Sequence, residues 1–250
     1  MPTCNNGAFI TDAIKSVLEQ TYPYWELLIV DDASNDGSLD RAEYFQAQDS
    51  RIKVFVMGEN QGADFCRNYA TKKSSGEFIA FLDADDLWMP EKLERQLTFM
   101  QEHDLGVSFT SYKQIDFQGK EKGIEVQALP ELSAAKQKTN NFIGNLTGMY
   151  AVDKVGRIMG PEMRKRQDWA LWHKAIKLSG KPAKGMVEVL AAYRVSPDSM
   201  SARKWGLIRY NFAFYRQYLG YSWAKSSLWL MVFFATYFVV RPRYIKKTAK

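Results

Sequence analysis

Between residues 8 and 103 the chain switches three times from a helical to an extended hydrophobic period, a pattern that few folds accommodate. Ile10, Ile14, Val17 and Leu18 share one helical face, Pro23 interrupts, and Trp25-Glu-Leu-Leu-Ile-Val30 reads as a buried strand. A helix near 38–48 then precedes a strand at 52–56, a helix near 62–73 precedes a strand at 77–82, and a further helix runs from Pro90 to about His103. Alternation at this spacing predicts an α/β fold with a mostly parallel, Rossmann-like sheet flanked by helices. Beyond residue 104 it weakens. A strand is expected at 105–112, a polar stretch at 116–141, a strand near 145–152, a helix near 167–179 and a strand near 186–194.

In parallel sheets ligands gather at the carboxyl ends of strands, and two acidic clusters fall there. Phe81-Leu82-Asp83-Ala84-Asp85-Asp86 closes one strand. On an extended strand end, carboxylates at i and i+2 face the same side, so Asp83 and Asp85 are expected to share a divalent cation. Helix capping ahead of Pro90 is the competing reading. The second cluster, Asp31 to Ser38, also fits a calcium loop counted from Asp32, with Ser34, Asp36, Gly37, Asp40 and Glu43 in the ligand positions. Its setting after a strand, with no second loop to pair with, argues against that use.

Asn60-Gln-Gly62 opens a helix carrying Arg67 in its second turn, where a guanidinium could meet a phosphate or the Asp pair. Arg164-Lys165-Arg166-Gln167-Asp168 places an acid at a helix start behind three cations that favour its ionised form, so Asp168 is the candidate general base. His103 and His173 lie apart and suggest no ligand pair.

Two cysteines, Cys4 and Cys66, form no metal-binding spacing, and reduced thiols are expected in a cytosolic setting. The net charge of +6 is uneven: residues 201–250 hold ten Lys/Arg and no acid, leaving 24 basic against 28 acidic residues before them. Fourteen of the 35 aromatic residues lie in that same tail, beside an uncharged run at 226–240. Such apolar bulk points to an anionic membrane surface rather than to nucleic acid. As a helix the run would extend roughly 22 Å, short of a bilayer's roughly 30 Å core, so an amphipathic segment lying in the interface is expected. A buried helix or a dimer contact is the alternative.

Taken in order, these pieces resemble the inverting family 2 glycosyltransferases of the GT-A fold, of the bacterial surface-polysaccharide type. Met1-Pro-Thr-Cys-Asn5 resembles the end of the family's first strand, so that strand is expected to be largely missing. Val30-Asp31-Asp32-Ala-Ser-Asn-Asp36-Gly37-Ser38 resembles its nucleotide-binding turn, Asn60-Gln-Gly62 with Cys66-Arg67-Asn68 its helix start, and Asp83-Ala-Asp85-Asp86 its metal motif. The resemblance implies Thr3, Asp31, Asp32, Arg67 and Asp83 around the nucleotide, Asp83 and Asp85 on Mg²⁺ or Mn²⁺, and Asp168 as catalytic base. Arg194 and Ser199 fall in a segment similar to the one that closes over the diphosphate or acceptor.

The implied organisation is a nucleotide-sugar half at 1–103, an acceptor half at 104–200 and a membrane-associating tail at 201–250. The implied activity is transfer of one hexose or N-acetylhexosamine from a nucleotide diphosphate sugar, with a UDP-sugar expected, to a lipid-linked or lipopolysaccharide-type glycan, on the cytoplasmic face of the membrane. No Gln-x-x-Arg-Trp motif of the processive members is present, so a single addition is expected. Cys4 stands where the family often has an aromatic residue. The rival function is a calcium-binding or membrane-attached interaction protein built on Asp32 to Glu43.

Overall fold

The structure is a computed structural model that describes residues 1–161, 163, 165–195 and 208–247. In chain order the first half contains β1 (Pro2–Thr3), α1 (Ile10–Leu18), β2 (Leu27–Asp31), α2 (Ser38–Gln46), β3 (Ile52–Val56), α3 (Ala63–Lys73), β4 (Phe78–Ala80), β5 (Leu87–Trp88) and α4 (Lys92–Glu102). The apolar face of α1, with Ile10, Ala13, Ile14 and Val17 buried, packs into one core with Leu27 and Ile29 of β2 and Ile52 of β3. β2 lies between β1 and β3, both parallel to it, and all five of its residues are buried, which explains its uninterrupted apolar run.

The second half contains β6 (Val107–Ile115), β7 (Glu121–Val126), β8 (Glu131–Leu132), α5 (Ala134–Gln137), β9 (Met149–Ala151), α6 (Val152–Val155), α7 (Gln167–Leu178) and β10 (Ala183–Arg194). Here the expected parallel order gives way to a mixed sheet. β10 runs parallel to β6, whereas β6–β7, β4–β9, β6–β9, β8–β10 and β5–β10 are antiparallel. The short link between β6 and β7 permits a hairpin, whereas a parallel neighbour needs a long crossover. The polar stretch at 116–141 therefore carries β7, β8 and α5, none of them expected from local periodicity.

A second core gathers Phe109 of β6, Tyr150 of β9 and Trp172 of α7, and the rings of Tyr150 and Trp172 meet edge to face at 6.3 Å. Asn145-Leu-Thr147, which has the form of a glycosylation sequon, is buried here.

β1 has two residues, Pro2 and Thr3. Beside it a cavity of about 370 Å³, lined by Met1, Leu27, Leu28, Phe78 and Leu82, opens between β2 and β4. The Met1 ammonium donates to the Leu28 carbonyl at 2.7 Å, and burial lowers its pKa to about 5.

After the second half come α8 (Ile208–Ala213), a π-helical turn at Phe214–Tyr218, α9 (Trp223–Ala235) and a last strand, β11 (Ile245–Lys247). Helical winding continues past α9 to Tyr244, giving 22 residues against the 15 of the uncharged run. At 1.5 Å per residue that is roughly 33 Å. By length and composition this one helix could cross a membrane. β11 nevertheless returns to pair with β7, Ile245 opposite Val126.

Candidate active site

The parallel strands β1 and β2 end side by side, with Thr3 opposite Asp31. Register partners in a parallel pair project to the same face. Thr3 Oγ1 and Asp31 Oδ1 are both buried and have no hydrogen-bond partner among the described residues. Two orphaned oxygens at the carboxyl edge of a sheet are what a ligand's donors would satisfy. Asp31 Oδ2 accepts from the Ser34 amide at 3.0 Å.

Asp32 organises the neighbouring loop. Its two carboxylate oxygens accept the amides of Gln61 at 2.6 Å and Gly62 at 2.8 Å, which fixes the start of α3. Gly62 turns there with φ +90°, a conformation that side chains resist. Each oxygen retains a lone pair, so Asp32 can still take a donor from a ligand.

These contacts give the residues of the calcium-loop alternative other partners. Asp36 accepts from the Gly7 amide at 2.7 Å and from the Ser38 amide at 3.0 Å, while Asp40 lies on the exposed side of α2. Among the described residues no three acidic, histidine or cysteine groups converge as a metal cage. A helix beginning at Ser38 and a carboxylate committed to α3 pull the expected ligands apart.

α3 carries Arg67 to the centre of the cleft, where Nη2 donates to Asp83 Oδ1 at 2.7 Å and Nη1 to Asp64 Oδ1 at 2.8 Å. Burial pushes the Asp64 carboxyl up to about 6 against the pull of Arg67, and the charges of Asp168 and Asp83 add to the rise. Asp64 went unnoticed in the sequence, although an acid three residues before Arg67 on a helix is a readable pairing signal.

The acidic motif is a turn rather than the extended strand end expected from its spacing. β4 ends at Ala80, and the Asp86 amide donates to the Asp83 carbonyl at 3.1 Å. Asp86 is buried and accepts the Arg194 amide at 2.9 Å; burial, then Asp85 and Asp83, hold its carboxyl well above the usual range. Burial, then the neighbouring Asp83, also raises Asp85. No other side chain among the described residues donates to the Asp85 carboxylate. A pair of crowded hard oxygen donors, with no side-chain donor to Asp85 among the described residues, fits a divalent cation that keeps other positions open for phosphate.

Arg194 braces this turn from behind. Its Nε donates to the Asp85 carbonyl at 2.8 Å, and Nη1 to the carbonyls of Phe117 at 2.9 Å and Asp116 at 3.2 Å. The guanidinium also lies 4.7 Å from the centre of the Phe9 ring. With these bonds made, Arg194 acts on the site through the turn it holds. Ser199 lies outside the described residues.

The second half supplies Asp168 in the first turn of α7, which follows Arg166 in a left-handed conformation with φ 69°. Asn141 Nδ2 donates to Asp168 Oδ2 at 2.5 Å. Asp168, Gln167, Asp64 and Arg67 line one narrow cleft, so an acid from the second half meets the cation of the first. Asn68 ties the loop between them, accepting the Gly160 amide at 2.8 Å and donating to its carbonyl at 3.1 Å. Asn68 belongs to the Cys66-Arg67-Asn68 motif, whereas Asn141 carries no local signal that singles it out from other polar residues.

Known proteins resemble this chain in sequence and in fold. The chain is similar to TuaG of Bacillus subtilis (strain 168), named for teichuronic acid biosynthesis, with 38% identity over 94% of this chain and 92% of that protein. It is 34% identical, over 82% of its length and 79% of the relative, to WfgD of Escherichia coli, a UDP-Glc:alpha-D-GlcNAc-diphosphoundecaprenol beta-1,3-glucosyltransferase. In fold it resembles S. aureus TarS in complex with UDP-GlcNAc, with a TM-score of 0.71 and 21% identity over 95% of this chain and 71% of that one. It also resembles the mannosyltransferase PcManGT of Pyrobaculum calidifontis in complex with GDP-Man and Mn²⁺, with a TM-score of 0.67 and 16% identity over 97% and 70%. Residues 1–155 match the model of glycosyl transferase family 2, and with such relatives over nearly its whole length the chain belongs to that family.

Proposed function

We propose that the protein transfers one hexose or N-acetylhexosamine from a UDP-sugar to a lipid-linked glycan in surface-polysaccharide synthesis, with inversion and with Mg²⁺ or Mn²⁺. The observation that carries this is the cleft in which Asp168 of α7 stands beside the Arg67–Asp83 pair. The names of relatives add weight on substrate class: WfgD acts on a diphosphoundecaprenol acceptor, and TarS is seen with UDP-GlcNAc.

In this reading Thr3, Asp31 and Asp32 hold the base and ribose at the ends of β1 and β2, and Arg67 fixes Asp83. Asp83 and Asp85 would hold the divalent ion, which when bound would neutralise charge on the departing diphosphate. Asp168 takes the proton of the acceptor hydroxyl while that oxygen bonds to the anomeric carbon. The bond from that carbon to the phosphate oxygen breaks, its electron pair leaves with the diphosphate, and the anomeric centre inverts. Asn141 orients the Asp168 carboxylate. A lipid-linked acceptor places the reaction at the cytoplasmic face of the membrane.

The test is a donor panel of UDP- and GDP-sugars, assayed for hydrolysis and for transfer to a diphosphoundecaprenol-linked GlcNAc. Metal-dependent turnover of one UDP-sugar, lost in Asp85→Asn, is the expected result; metal-independent turnover would overturn the reading.

A further inference from the structure

The long helix at Trp223–Tyr244 is tied to the protein at both ends and in the middle. At its start the Tyr221 amide donates to the Tyr215 carbonyl at 3.0 Å, and the Trp223 ring packs 4.8 Å from Phe212. At its end the Gln127 amide donates to the Tyr244 carbonyl at 2.7 Å, and β11 pairs with β7 directly after it. Arg241 donates to Asn140 at 3.2 Å. Between these ends Phe233 is buried against Trp169, their ring centres 5.6 Å apart. A helix whose two ends bond to the same domain lies across it and does not thread a bilayer.

Its outward face is apolar. Leu228, Met231, Phe238 and Val239 are 56%, 62%, 68% and 57% exposed, with Ala224 ahead of them and Ala235 among them exposed at helical spacing. No charged residue interrupts this stripe, which runs along about four turns. Lys225 stands at one end and Arg243, Lys246 and Lys247 at the other, all exposed. A second copy covering the stripe would bring cations together in either orientation, whereas anionic headgroups would meet them with opposite charge.

We infer that this helix is an in-plane seat on an anionic bilayer, entering the headgroup boundary through Leu228, Met231, Phe238 and Val239. The inference deepens the proposed function, because Trp169, next to Asp168, rests on the inner side of the same helix. Its ring also stacks on Phe214 at 3.9 Å. The helix thus joins the proposed lipid contact to the residue beside the proposed base.

Co-sedimentation with vesicles of phosphatidylcholine, with and without one-third phosphatidylglycerol, tests the seat. Binding is expected to need the anionic lipid, and the triple variant Leu228→Glu, Met231→Glu, Phe238→Glu is expected to bind at least tenfold more weakly while keeping donor hydrolysis. Unchanged binding of that variant would overturn the proposal. So would light scattering that shows a dimer which the variant splits. A fluorophore on Met231→Cys gives a second reading independent of the triple variant: a blue shift with anionic vesicles is expected, and none overturns the seat. Vesicle binding with no donor hydrolysis by any protein form would instead count against the glycosyltransfer reading alone.

Discussion

Asn141 donates a 2.5 Å hydrogen bond to Asp168, joining the loop after α5 to the first turn of α7. The bond occupies one carboxylate oxygen of a residue that lines the cleft with Arg67. Asp168 is the second residue of α7, and the next, Trp169, is fully buried and donates to the Gln137 carbonyl at 2.5 Å. The orientation of the proposed base is thus built into the core of the second half.

Asp168→Asn is expected to lower transfer by about 10²–10⁴-fold, the usual contribution of a positioned base, with donor binding retained. Asn141→Ala keeps the carboxylate but frees its rotamer, so about a tenfold loss in kcat with little change in donor KM is expected. Steady-state kinetics together with calorimetric UDP binding separates the two. A loss of UDP binding in Asp168→Asn would argue for a structural role.

Asp85→Asn removes one of two crowded carboxylates without changing the shape of the turn. Manganese is expected to raise the melting temperature of the wild-type protein in the presence of UDP, by ligand linkage, and to leave the variant's unchanged. Chelation should remove the effect from the wild type. A similar rise in both proteins would place the ion elsewhere.

Gly148→Ala tests the packing that holds α7. A Cβ at this position would lie 2.2 Å from Trp172 Cζ2, and Trp172 is itself fully buried, so the ring has no free space to enter. Overpacking of this kind costs about 1–3 kcal/mol, and the upper end is expected here. Urea denaturation measures it, and a variant as stable as the wild type would show that the two cores can part.

His173 is buried on α7, and its Nδ1 lies 2.9 Å from the Tyr218 hydroxyl. Burial, with Lys138 and Lys177 adding, lowers its pKa to about 4 from 6.5. The unfolded chain therefore binds more protons between about pH 4 and 6.5, so this group's contribution to stability rises with pH across that window and is lost as pH falls through it. At about 1.4 kcal/mol per unit the contribution is up to ~3 kcal/mol. Denaturation at pH 4.5 and 7 should show a smaller difference for His173→Gln than for the wild type.

Local pattern determined the first half of this protein well. The strand at 52–56 matches β3 residue for residue, and the helix near 62–73 matches α3 to within one residue, because amphipathic periodicity records which face each element buries. The family was equally legible, since the order of Asp31-Asp32, Arg67 and Asp83-Ala-Asp85-Asp86 is a property of the chain.

Tertiary structure decided the rest. Strand direction in the second half, the hairpin hidden in 116–141 and the return of β11 to β7 depend on pairings between distant segments that no short window encodes. The tail's helix was readable as apolar, but which of its faces the protein covers depends on Trp169 and Phe233 meeting across the chain. The same holds in the site: Asn141 meets Asp168 across 27 residues, and Arg194 reaches the Asp85 carbonyl across 109, from the second half to the first. Residue type sets what a side chain can do, and the folded neighbours set which of those things it does.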